Sequence, residues 1–112
     1  MIFDEASRCI KRGDVLTLRR ALESDLDSNL SNRSSWSLLM LSAIEGNTSI
    51  GELLVSHGAK VDSVNDFGET ALSLSAHKGH APFARWLLAL GASTECRPHG
   101  WDLGDWIKQT SG

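Results

Sequence analysis

A self-match at a spacing of 33 residues constrains this chain more than any other feature. The stretch from Asn65 to Arg97, NDFGETALSLSAHKGHAPFARWLLALGASTECR, slides back onto Asn32 to Val64, NRSSWSLLMLSAIEGNTSIGELLVSHGAKVDSV. Nine positions coincide: Asn32/Asn65, Leu39/Leu72, Leu41/Leu74, Ser42/Ser75, Ala43/Ala76, Gly46/Gly79, Leu54/Leu87, Gly58/Gly91 and Ala59/Ala92. A fixed period of this length marks a chain built from stacked copies of one supersecondary unit.

The coincident residues say what the unit is. Leu72, Leu74 and Ala76 give a short helix an apolar side, and small Ser75 and Ala76 permit close approach of a neighbouring helix. Gly79 falls where that helix stops and the chain turns, a place that favours positive φ. Pro82 lies near the first turn of a second helix, where its missing N–H costs nothing. Phe83, Trp86, Leu87 and Leu90 then recur at i, i+3, i+4 and i+7, predicting one apolar helix face. Gly91 ends that helix. Ser37 and Thr70 are placed to cap the first helices. Neither helix is long enough to be stable alone, so each unit leans on its neighbours.

The segments GETALSLSAHKGH (Gly68 to His80), LLALGA (Leu87 to Ala92), LLMLSAIEGN (Leu38 to Asn47) and LLVSHGAKVD (Leu54 to Asp62) resemble the ankyrin repeat family. The family's Thr-Pro-Leu-His stands here as Thr70-Ala71-Leu72-Ser73 and Ser37-Leu38-Leu39-Met40. Proline and histidine are thus absent from both copies, and Ser35 replaces the family's turn glycine, which is expected to weaken that turn. The resemblance implies an all-α fold: an ankyrin-repeat solenoid of three stacked helix-turn-helix units plus a C-terminal half-repeat cap. It also implies protein binding without chemistry. His80 matches the histidine that such repeats carry after the helix-turn glycine, where it is structural.

One domain over 1–112 is expected, with an N-terminal capping repeat at 1–31, repeats at 32–64 and 65–97, and a cap helix at 98–112. In the first unit Phe3, Ala6 and Ile10, with Cys9 beside them, form one apolar stripe, and Val15, Leu18, Ala21 and Leu22 form another. Arg8 takes an apolar position of the later units, and Arg12, Arg19 and Arg20 add charge, as a unit with nothing stacked on it needs. Asp25 stands in place of Gly58 and Gly91 and is read as a worn turn. In the last piece, Asp102 would cap a helix whose Leu103, Trp106 and Ile107 face inward. The Met1 start and polar ends are expected to belong to a whole chain.

Net charge is −3, from 11 basic and 14 acidic residues. This gives no electrostatic case for nucleic acid or an anionic membrane. No apolar run reaches the ~18 residues of a membrane span, and the start lacks a signal-peptide pattern. Cys9 and Cys96 fall in the first and third units, which a solenoid keeps apart. Reduced thiols and a cytoplasmic or nuclear location are expected.

The four histidines, His57, His77, His80 and His99, sit in no HExxH or HRD context, and the glycines form no phosphate loop. No enzymatic activity and no cofactor are expected. Cys96, His99 and His80 lack metal-ligand spacing, so no metal site is expected either. Trp86 and Trp106 are read as core. Trp36, aligned with Glu69, falls at an exposed concave position, Trp101 lies near the equivalent place in the last unit, and Phe67 sits on a turn tip. Large aromatics in such places dominate interface energetics. Trp36 and Phe67, with the turn-tip residues Arg33, Asp66 and Glu69 and the first-helix ends Ile44, Glu45, His77 and Lys78, make up the expected partner-binding surface. The partner is a protein of unspecified identity, held by a monomer. The alternative function is a small regulatory inhibitor or assembly subunit that blocks an enzyme or transcription factor.

Overall fold

The computed structural model describes residues 2–93. They form six helices in three pairs: α1 (Phe3–Arg12) with α2 (Val15–Ser24), α3 (Leu38–Glu45) with α4 (Thr48–Ser56), and α5 (Ala71–His77) with α6 (Ala81–Ala89). Among the described residues the only extended pairing is one isolated antiparallel bridge, Ser31 with Ser37. The fold is all-α, as the repeat pattern predicts. The half-repeat cap over 98–112, with Trp101, Asp102, Leu103, Trp106 and Ile107, lies outside the described residues, as do Cys96 and His99.

Four of the six helices begin at a side-chain cap. Ser37 Oγ accepts the Met40 N–H at 3.2 Å, and Thr70 Oγ1 accepts the Ser73 N–H at 3.2 Å while Ser73 Oγ accepts the Thr70 N–H at 2.9 Å. These bonds satisfy donors that a helix start leaves open. Asp14 and Asn47 cap α2 and α4 in the same manner, through the N–H groups of Thr17 and Ile50. Between the helices of each pair stands a left-handed glycine, Gly13, Gly46 or Gly79, with φ of 71°, 69° and 79°.

The first helices stack in one row, α1 on α3 on α5, and the second helices in another, α2 beside α4 beside α6. Packing is closer in the first row than in the second. Small residues make this approach possible. Ala6, Ala43, Ser42, Ser75 and Ala76 are all buried, and each serine hydroxyl turns back onto its own helix, Ser42 to Leu39 and Ser75 to Leu72. The core is continuous from Ala6 and Ile10 through Leu38, Leu39 and Leu54 to Leu72, Phe83 and Leu87.

Polar bonds across the units follow the same period. Lys60 N–H donates to Asn29 Oδ1 and, one period on, Ser93 N–H donates to Asp62 Oδ1, each at 2.8 Å. Ser28 Oγ reaches the His57 carbonyl, and Asn29 Nδ2 the Gly58 carbonyl. His80 does not cap its own helix. Its Nε2 donates instead to the Ile44 carbonyl at 2.8 Å, tying the third unit to the second.

One expectation needs correction, and two turns call for comment. Leu90 does not join the buried stripe of Phe83 and Leu87; it is the C-cap residue just past α6 and stands 47% exposed. Ser35, expected to weaken its turn, keeps the turn's geometry. It adopts φ 64°, among the described residues the only non-glycine with positive φ, and so copies the geometry of Gly68. Asp25 takes φ −132° where Gly58 and Gly91 are left-handed, yet the turn keeps its bond: Leu26 N–H reaches the Ala21 carbonyl as Ala59 reaches Leu54.

Candidate functional site

Asn32 and Asn65 build the two turn tips, which explains why this polar pair coincides. Asn65 Oδ1 accepts the N–H groups of Phe67 (2.9 Å) and Glu69 (3.0 Å), and Asn65 Nδ2 donates to Glu69 Oε1 (3.1 Å). Asn32 Oδ1 holds the N–H groups of Ser34 (2.9 Å) and Trp36 (3.0 Å) in the same arrangement. The tips are tied to each other where Asp66 N–H donates to the Ser34 carbonyl at 3.0 Å. An asparagine that folds its side chain onto its own turn fixes the loop without regular pairing. Trp36, Phe67 and Glu69 are thereby held in place by backbone bonds rather than left on free loops.

These three residues form one end of a groove between α3 and α5. Its volume is about 440 Å³, and Trp36, Ile44, Phe67, Glu69, Leu74, His77 and Lys78 line it. Trp36 is half-buried and packs against the core, while Phe67 is 56% exposed. Trp36 therefore does two things at once. It covers the core with one part of the indole and walls the groove with another. Leu74, read from the sequence as core alone, also lines the groove, although it is only 3% exposed.

Three of the expected residues lie elsewhere. Glu45 is exposed, but it is not part of the groove, since successive helix residues point about 100° apart and Ile44 holds the groove side. Asp66 is exposed at the tip, with its backbone committed to Ser34. Arg33 lines a separate shallow depression with Ile2, Phe3 and Asp4. Trp86, on α6, is half-buried against the core, edge-on to Phe83 with ring centroids 5.2 Å apart.

No group of three or more metal-ligating side chains occurs among the described residues. His80, one member of the imagined metal set, already spends Nε2 on Ile44. The thiol of Cys9 is free and buried. Among the described residues no helix is long and apolar enough to cross a membrane. Asp14 has its carboxyl held below the ordinary range, chiefly by its hydrogen bonds from Thr17, a capping effect remote from the groove.

A family model described as ankyrin repeats, in three copies, matches residues 6–97. The chain is also similar to M-phase phosphoprotein 8: it is 38% identical over 71 residues to the Homo sapiens protein. Against the Rattus norvegicus and Mus musculus proteins it is 37% identical over the same length. The matched stretch is 62% of this chain and 8% of the human protein, so the chain spans less than a tenth of these relatives.

Proposed function

The chain belongs to the ankyrin repeat family, whose repeats are protein–protein interaction modules, and on that premise we propose that it holds a partner protein through its concave face and turn tips, with no chemistry of its own. The observation that carries this reading is the groove between α3 and α5. It lies between helices of the more closely packed row, it is walled by two aromatic side chains, and their backbone positions are fixed by Asn32 and Asn65. Rigid aromatic walls lose little conformational freedom on binding, and tryptophan is enriched among the residues that dominate interfaces.

Partners recovered by affinity purification are retested against variants. Phe67→Ala and Trp36→Ala should each weaken the partner by about 1–3 kcal/mol, with far-ultraviolet circular dichroism unchanged. Leu16→Ala, at an exposed position of α2, should leave binding as it was. A partner held equally well by all three variants contacts some other surface, and the proposal then fails.

A further inference from the structure

We propose that the occupant of this groove is an extended peptide segment carrying a basic residue, a bulky apolar residue and an acidic residue at alternate positions, i, i+2 and i+4. This rests on the reading of the groove as the binding surface. The groove is electrically polar along its length. At the turn-tip end stand Glu69 and the rings of Trp36 and Phe67; at the other end stands Lys78, the C-cap residue of α5. Leu74 lies between them on α5, and Ile44 adds apolar surface near the Lys78 end.

The tip end suits a lysine or arginine. An aromatic face attracts a cation, and a carboxylate beside it adds charge pairing. The bond from Asn65 Nδ2 to Glu69 Oε1 orients that carboxylate beforehand, and its other oxygen remains to accept from a guanidinium or ammonium. The far end suits a carboxylate, facing Lys78.

Spacing selects the conformation. Glu69 to Lys78 is nine residues of mostly helical chain, about 13 Å along the axis at ~1.5 Å per residue. Four residues of extended peptide cover about 13 Å at ~3.3 Å per residue, and positions i, i+2 and i+4 then share one face. A helical occupant would need its two charges about nine positions apart over the same distance. The outer members of the triplet meet opposite charges while the middle one meets Leu74.

The test is selection of a random peptide display library on the immobilised protein, followed by titration of the enriched peptides as synthetic probes. Enrichment of basic-x-apolar-x-acidic sequences, in either direction, is the expected result. Lys78→Glu should weaken such a peptide at least tenfold, and changing the peptide's acidic residue to lysine should restore its binding. Glu69→Gln should weaken it severalfold through the basic residue. Peptides that lose binding with Phe67→Ala but show no charge pattern, or carry charges at helical spacing, would overturn this inference while leaving the groove as the binding surface. Peptides indifferent to both Phe67→Ala and Trp36→Ala would overturn the groove itself.

Discussion

Two backbone positions carry consequences that can be measured one side chain at a time. Ser35 holds φ 64°, a left-handed conformation that costs an L-residue about 1–2 kcal/mol where glycine pays nothing. Glycine gives part of this back through its freer unfolded chain. Ser35→Gly should therefore stabilise the protein by about 0.5–1 kcal/mol, read as a higher urea midpoint at constant slope. An unchanged or lower midpoint would show that the first tip is not strained. Gly46 and Gly79 occupy the same place one period apart, yet differ in surroundings. A Cβ on Gly46 would lie 2.6 Å from His80 Nδ1, whereas one on Gly79 would meet nothing within 4 Å. Gly79→Ala should thus lose about 1–2 kcal/mol from backbone strain alone. Gly46→Ala should lose more, and His80→Ala should remove the excess in a double-mutant cycle. Equal losses in the two variants would mean that the imidazole swings aside at no cost. The period showed both glycines, but only coordinates show that one of them lies under a neighbour's ring.

At the scale of the helix, most of the architecture is legible because punctuation and apolar spacing coincide. The left-handed glycines Gly46 and Gly79, the caps Ser37 and Thr70, and the stripe from Leu72 to Ala76 each imply the same boundaries. Legibility fails where a side chain leaves its own helix. His80, Asn29 and Asp62 are polar residues in turns, and nothing local says that their partners lie 31 to 36 residues away. Asp14 is a cap with a pH signature. Its folded pKa is depressed by the Thr17 bonds, so the folded state favours the carboxylate. The associated stability is present above the unfolded value and is lost as pH falls through the depressed one, in the range below about pH 4. Asparagine also caps well and does not titrate there. Asp14→Asn should match the wild type near neutral pH and show a shallower decline in urea midpoint below pH 4. Parallel declines would assign the acid sensitivity to other carboxylates.

The whole molecule is a row of interfaces, and the groove is one of them left partly open. Sequence alignment located it through Trp36 and Phe67, since exposed aromatics at turn tips are conspicuous. It could not sort Ile44 from Glu45, because helix rotation rather than residue type decides which of two adjacent side chains faces a neighbour's α5. It also missed Leu74, because one side chain serves both as core and as groove wall. The same logic predicts how stability is distributed. In a stack, stability is close to a sum of unit and nearest-neighbour terms. Leu39 on α3 and Leu18 on α2 are both essentially fully buried. α3 packs against α1 on one side and α5 on the other, while α2 packs chiefly on α1 and, more loosely, on α4. Truncation to alanine costs about 2–5 kcal/mol for a buried leucine, with the value set by how far the surroundings can collapse. Leu39→Ala, clamped from both sides, should fall near the upper end, and Leu18→Ala, at the looser edge, near the lower. Hydrogen exchange should separate them further: Leu18→Ala exposes amides mainly in α1 and α2, whereas Leu39→Ala accelerates exchange through α5 as well. If Leu18→Ala costs as much and loosens every helix equally, the row behaves as one undivided core, and position in the stack has no bearing on strength.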